Sequence, residues 1–392
     1  MSLNNNQIES IVNEAYRQAI GSDAIDTIPL ANFTDTGSNY SDISANKDQF
    51  TGALINISAK NWFADTSYRS QYNDPFFEDS REMGAIIQFI SATVPEVKES
   101  HSWKTFVSGT STLGTYTIYM PLVETKYYGK TVSWELPIAI TDEQWDDAFR
   151  TVEALSEFVS YIMMMVDNAI VCHIEDMNAL NRNNYIAEKI EAQNDGVAGV
   201  HAINLIALYN SERGQNLTTK EQFLADDDAK RFASATIDEY STYFNKMSTL
   251  FNTAGKARFT PDDRKVIQVV KKFEKALEEA FSTTYRPDYV ELKGYEEVPY
   301  WQGFGDSTSW DDVTSIDVKI ASDGTAVKKS GIVACIVDKW AIMHTIRKHR
   351  VAVTRFDPEA VTQYYYQFRD SYFNDLTMNG VVFYLEDIST EP

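Results

Sequence analysis

Five histidines and two cysteines are the residues best able to do chemistry in this chain, and their spacing argues against it. His101, His173, His201, His344 and His349 form no His-Glu-x-x-His pair and no Cys/His spacing suited to zinc. His344 and His349 lie five apart, a poor match for one helix face, beside the basic stretch Arg347-Lys348-His349-Arg350. That stretch reads as an interface or core-edge cluster rather than a metal or phosphate site. Gly129-Lys130-Thr131 copies the end of a phosphate-binding loop, but the first glycine of such a loop would fall at Glu124. Gly303-Phe304-Gly305 is too short for a dinucleotide fingerprint, and no Gly-x-Ser-x-Gly nucleophile turn occurs. Carboxylates are abundant, but abundance selects no catalytic pair. No catalytic, cofactor-binding or metal site is expected. Cys172 and Cys335 sit in apolar surroundings and read as buried small hydrophobes in a reducing compartment; the sequence does not exclude a disulfide between them.

Composition narrows the classes further. The chain has 392 residues, enough for two or three domains, and a formal net charge of −22. That charge argues against general binding to nucleic acid, which needs clustered Lys and Arg to neutralise phosphates. It favours solubility of a free subunit and disfavours premature association. The start, Met1-Ser2-Leu3-Asn4, has neither a basic n-region nor an apolar h-region, so no signal peptide is expected. No long apolar run suits a membrane span.

The elements that must position any surface are clearer than the chemistry. Runs 115–124 and 131–140 are rich in β-branched and aromatic residues, and the link Thr125–Lys130 carries Gly129. Together, residues 100–140 predict a long β-hairpin with Tyr127 and Tyr128 near its tip. Pro121 and Pro137 lack a backbone donor and belong at an edge or bulge. Thr141-Asp142-Glu143-Gln144 is a capping box that opens a helix. Apolar residues then recur in steps of three and four through Val159, Ile162, Val166, Ala169, Met177 and Leu180, interrupted by His173. Such a helix would be ~60 Å long. Its seam holds about five heptads with few ordered charges beside them, which is little for a dimeric coiled coil. Met163-Met164-Met165 reads as gap-filling core.

Residues 4–20 predict a short amphipathic helix, followed by a polar arm over 22–50 and renewed helical spacing at 48–65. A β-rich piece is expected over 85–107. Helices are predicted over 236–252 and 262–283, the second with Val266, Val269, Val270, Phe273 and Leu277 on one face. Gly331–Asp338 predicts a buried strand.

The joint order of these segments resembles the major capsid proteins of tailed bacteriophages with the HK97-like fold, most like those of small short-tailed phages. Thr141-Asp142-Glu143-Gln144-Trp145 with Ala148-Phe149 is similar to that family's spine-helix start. Val337-Asp338-Lys339-Trp340 resembles a strand late in its A-domain. Tyr364-Tyr365-Tyr366 with Asn379-Gly380-Val381-Val382-Phe383 resembles its closing aromatic helix and P-domain strand. The resemblance implies an α+β fold: an N-terminal arm (1–50), a first part of the P-domain (51–99), an E-loop hairpin (100–140), a spine helix (141–190), an A-domain (191–354), and a closing helix with return strand (355–392).

It further implies a structural protein, not an enzyme, with no cofactor. The subunit would assemble with itself as hexamers and pentamers into an icosahedral shell of the virion head. Assembly would take place in the host bacterial cytoplasm, with a separate scaffolding protein and a portal protein at one vertex. Packaged double-stranded DNA would be enclosed without sequence-specific binding, which an acidic wall permits. No membrane partner is expected. The inter-subunit contact candidates are Lys126, Tyr127, Tyr128, Gly129 and Lys130 at the hairpin, Ile8, Ile11 and Tyr16 in the arm, and Arg347 and Arg350. No appended immunoglobulin-like domain is expected, and no motif identifies an acceptor for a lysine crosslink. Two other readings stay open at this point: an encapsulin-type compartment shell, and an acidic enzyme acting on polysaccharide.

Overall fold

The structure, a computed structural model, describes residues 9–10, 12–14, 16–17, 77–78, 87–92, 94, 123–128, 132–144, 152–282, 294–302, 312–320, 324–346, 350–356 and 359–388. The polar arm over 22–50, the helical spacing at 48–65 and most of the predicted hairpin before Val123 lie outside these residues. In chain order the elements begin with strands β1 (Phe77–Glu78), β2 (Ile87–Ala92), β3 (Val123–Tyr128) and β4 (Val132–Thr141). Helix α1 (Val152–Asn194) and β5 (Ala202–Asn204) follow. Three helices come next: α2 (Leu205–Arg213), α3 (Lys220–Ala225) and α4 (Asp227–Tyr243). Then come β6 (Lys265–Val270), α5 (Lys271–Ser282), β7 (Glu296–Val298), β8 (Ile316–Lys319) and β9 (Ala326–Lys329). The chain closes with β10 (Ile332–Asp338), β11 (Ile342–Ile346), β12 (Arg350–Phe356), β13 (Val361–Asn374) and β14 (Gly380–Tyr384).

These elements fall into two compact units, one of residues 1–83, 131–180 and 344–372, the other of 84–130, 181–343 and 373–392. The first unit is a helix on a sheet. β13 pairs antiparallel with β12 on one side and with β4 on the other, Tyr364 standing between Val353 and Ile138. Alternate residues Thr362, Tyr364, Tyr366, Phe368 and Asp370 are buried. The three aromatics pack with Ile138, Ile140 and the α1 residues Ile162, Val166 and Ile170. Burying each large side chain stabilises by about 2 kcal/mol, so this seam holds the helix on the sheet. Pro137 sits on β4, whose described pairing is with β13 alone, consistent with a strand at an edge.

Several expectations change here. The Tyr364–Tyr366 segment is a strand, not a closing helix, because its buried residues repeat every two positions. Among the described residues, the part of the first hairpin run that is described, in β3, pairs with β2, Ile90 opposite Thr125, while β4 joins β13. Thr125–Tyr128, expected as a turn, is therefore strand. The capping box does form, with Thr141 N–H donating to Gln144 Oε1 and Gln144 N–H to Thr141 Oγ1, both at 3.2 Å. Helix α1, described from Val152 to Asn194, has a seam that advances by fours, so Leu180 is exposed while Asn178 is buried.

The second unit is built on the sheet order β5-β14-β10-β6-β7, with β10 antiparallel to both neighbours. All seven residues of β10 are buried, as predicted for Gly331–Asp338. β14 belongs to this sheet, beside β10 and β5. The helix predicted over 262–283 divides into β6 and α5, because the β-branched run Val266–Val270 is buried on every residue and pairs with β10. The helix predicted over 236–252 ends at Tyr243, and α4 starts at Asp227, where Asp226 caps the Asp228 N–H at 2.9 Å. Cys335 is buried as expected, but Cys172 is exposed, and neither forms a disulfide.

The run of α1 that enters this core is polar in sequence and looks unlike core. Instead Asn181, Arg182, Asn183 and Lys189 are buried and bond backbone carbonyls. Asn181 donates to Met343 O (3.2 Å), Asn183 to Trp301 O (2.6 Å) and Lys189 Nζ to Phe251 O (3.0 Å). Burial draws the Lys189 ammonium down to about 7, against the pull of Asp375 and Glu188. The unfolded chain then binds more protons than the folded one above that point, so Lys189 makes stability rise with pH between about 7 and 10.5. Phe251 O keeps a second donor, Gly380 N–H at 2.9 Å. A Lys189→Met variant is therefore expected to be more stable at pH 7 and to lose that rise, as read by urea midpoints from neutral to about pH 9. Gly380 leaves room for Tyr185, whose hydroxyl a Cβ there would overlap. Gly380→Ala is expected to cost about 2 kcal/mol in the same measurement.

Candidate functional site

The feature of this chain best suited to function is a surface, the β2–β3 ribbon of the second unit. Along β3 the charged residues lie on the less exposed side and Val123 and Tyr127 on the exposed one, the reverse of an ordinary half-buried strand, which buries apolar residues and solvates polar ones. Residues Glu124, Lys126 and Tyr128 point toward the unit's own body. Glu124 pairs with Lys256, which also donates to Ser91 Oγ at 3.4 Å. Lys126 Nζ lies 3.0 Å from the buried carboxylate of Asp375, and Tyr128 stacks on Phe373 with ring centroids 4.1 Å apart. Burial would raise the Asp375 carboxyl, but hydrogen bonds from Thr377 and Lys126 hold it below the usual carboxylate range. The opposite face shows Ile90, Val123 and Tyr127 to solvent at 66%, 53% and 65% exposure, with Ala92 and Thr125 between them. A ribbon that spends its charges inward and presents apolar residues outward is built to be covered.

Among the described residues, further exposed apolar side chains occur on both units. Val353 and Phe356 lie on the edge strand β12, and Tyr243, Met247, Leu250 and Phe259 cluster in sequence around the Ser248–Arg258 bridge of the second unit. Arg264 stacks 4.0 Å over the ring of the exposed Trp340 and is held by the buried Asp338 at 2.6 Å.

Among the predicted contact residues, Tyr127 lies on the outward apolar face of the ribbon. Lys126 and Tyr128 are on its inward face, Lys126 within the strand and Tyr128 at its end. Tyr16 is 3% exposed, so it is core to the single chain and not a free contact. Arg350 is exposed on β12, opposite Gln367. Ile8, Ile11, Gly129, Lys130 and Arg347 lie outside the described residues. Among the described residues no group of His, Cys, Asp and Glu could hold a metal ion, and no helix is long and apolar enough to cross a membrane.

Sequence reasoning missed one polar cluster in the first unit. Asp370 is buried, accepts a hydrogen bond from Trp134 Nε1 at 2.6 Å, and lies 3.4 Å from His173 and 3.3 Å from His344. Trp134 is sandwiched by Phe368 (4.1 Å) and His173 (3.8 Å). The only trace in the sequence was His173 interrupting an apolar seam. His344 sits three positions before the basic stretch and carried no such signal.

The model of the Phi29-like phage major capsid proteins matches residues 6–384. The chain belongs to that family. Among solved structures it is similar to the capsid of Staphylococcus phage Andhra, at 10% identity and TM-score 0.52, over 83% of this chain and 86% of that one. A structure of the head fiber and inner core protein gp22 of native bacteriophage P68 aligns at 10% identity and TM-score 0.49, over 79% and 83%. The capsid of Cyanophage P-SCSP1u aligns at 11% identity and TM-score 0.44, over 82% and 90%. No curated protein sequence matches. The α+β architecture is thus that of phage capsid proteins. This capsid protein is a structural component of the head shell and not an enzyme, and the polysaccharide-acting reading falls away.

Next to His173 on α1, burial lifts the Asp176 carboxyl to about 6, with His173 opposing and Glu175 adding to the rise. The folded chain then holds a proton that the unfolded chain, at 3.8, has released. Asp176 therefore contributes stability at acid pH that is lost as pH rises through about 6. Asp176→Asn is expected to flatten that part of the thermal-midpoint profile, measured from pH about 4 to 7.

Proposed function

We propose that this protein builds an icosahedral phage head around packaged double-stranded DNA, and that the outward face of the β2–β3 ribbon is one of its contacts with a neighbouring subunit. The inverted ribbon is the observation that carries the contact. Its charged face is satisfied within its own unit while Ile90, Val123 and Tyr127 stand largely exposed, and a shell protein's commonest neighbour is a second copy. The same reading gives Arg350 on the β12 edge, Ile8 and Ile11 in the arm, and Gly129, Lys130 and Arg347 as further contacts. Subunits join as hexamers and pentamers, with a scaffolding protein guiding curvature and a portal protein at one vertex. Assembly proceeds in the host cytoplasm. The net charge of −22 supports a wall along which DNA moves without sticking.

Electron microscopy tests both statements. Wild-type protein expressed with its scaffold is expected to form closed shells. The pair Ile90→Asp and Tyr127→Asp is expected to give folded subunits, by circular dichroism, that close no shells. Intact shells from that variant would reject the ribbon contact. Wild-type protein that stays monomeric with scaffold present would reject the shell itself.

A further inference from the structure

The loop after α4 folds back on itself as a small lobe of the second unit. Thr260 N–H donates to Phe244 O at 2.8 Å, and Ser248 and Arg258 exchange two backbone bonds at 2.9 Å. The Asn252 amide closes on the Lys256 backbone at 2.7 and 3.0 Å. Phe244 and Phe251 fill the inside, with ring centroids 4.6 Å apart. The lobe is also gripped from outside: Lys189 Nζ and Gly380 N–H reach Phe251 O, and Val200 N–H reaches Leu250 O at 2.8 Å. A backbone held from so many sides is ordered before a partner arrives, which lowers the entropic cost of association. On this rigid support Tyr243, Met247, Leu250 and Phe259 stand 46 to 50% exposed.

The charge of the lobe is opposite to that of the chain. Residues 243–260 hold Lys246, Lys256 and Arg258 and no carboxylate, whereas the whole chain has 57 Asp and Glu and a net charge of −22. Lys246 is exposed, while Lys256 pairs with Glu124 and Arg258 reaches Met378 Sδ. Glu239 of α4, beside the lobe, accepts a hydrogen bond from the Tyr243 hydroxyl. No carboxylate within the lobe repels an acidic second copy, and Lys246 attracts one. The ribbon supplies a matching apolar surface. Its register sets Gln88, Ile90 and Ala92 opposite Tyr127, Thr125 and Val123, so the outward face buries no unpaired charge when it is covered. That face cannot seat on the lobe of its own chain, because Lys256 of the lobe holds Glu124 and Ser91 on the other face.

We infer that the apolar side chains of this lobe seat the outward face of a neighbouring copy's β2–β3 ribbon, so that subunits join head to tail. The inference rests on the ribbon contact proposed above and names its other half. Two unlike surfaces that meet in this way repeat from copy to copy and close into a ring, whereas one surface meeting itself stops at a dimer.

The test uses the full chain with its scaffold, in a Cys172→Ser background because Cys172 is exposed. Tyr127→Cys is combined with Leu250→Cys or with Phe259→Cys, and assembled material is treated with a short bismaleimide and run on a denaturing gel. A ladder of linked chains reaching trimers and beyond is expected, with no linked product from any single-cysteine chain. Shells that yield only monomers or dimers, or dimers from Tyr127→Cys alone, would overturn the head-to-tail seat and leave the ribbon contact standing. Shells that survive Ile90→Asp with Tyr127→Asp would instead remove the ribbon contact and this inference with it. Independently of the gel, Leu250→Asp with Phe259→Asp is expected to stay folded by circular dichroism and lose closed shells. Normal shells from that variant would reject the seat.

Discussion

Buried backbone carbonyls must find donors, and the second unit depends on how α1 meets that demand. Met343, Phe373, Trp301 and Phe251 leave carbonyl oxygens inside the unit, and Asn181, Asn183 and Lys189 reach them from a single helix. Arg182 adds a guanidinium 5.1 Å over the Trp301 ring. Replacing one of these polar residues with an apolar one would strand an oxygen wherever no second donor stands by. Lys189 and Asn183 are exceptions, because Gly380 N–H also serves Phe251 O and Arg182 also serves Trp301 O. The side chains that look least like core are the ones that tie the strands' connections to the helix.

The first unit solves a different problem with the same helix. There α1 is held mainly by apolar contact, Ile162, Val166 and Ile170 against Tyr364, Tyr366 and Phe368. Apolar contact is non-directional, so it sets distance more than register. Directional contacts come where the seam gives way to Asp370, His173, His344 and Asn178. A polar cluster of this kind specifies one arrangement of helix and sheet at a cost in desolvation.

For a capsid protein the ribbon carries the same lesson at the surface. Its ion pairs, Glu124 with Lys256 and Lys126 with Asp375, orient a pair of strands that would be marginal alone. Its apolar side is left for association. The acidic chain then gains a balance suited to a shell: repulsion that keeps free subunits apart, and local apolar faces that act once subunits are brought together.

The chain's periodicities determined a good deal by themselves. The Thr141–Gln144 box, the long helix after it and the strand over Ile332–Asp338 are local signals, set by capping chemistry and by an unbroken apolar run. The order of these segments was enough to point to the shell fold. What only the tertiary structure decided depends on partners distant in sequence. Val266–Val270 fits a helix face or a strand equally well until β10 lies beside it. The strand β3 has no preference written in it between β4, four residues away, and β2, more than thirty away. Tyr16 reads as a surface contact until the fold buries it, and His344 reads as part of a basic edge until β11 sets it against Asp370. Local pattern records which side of an element is apolar; which residue it meets is fixed only when strands pair and the helix lies down on them.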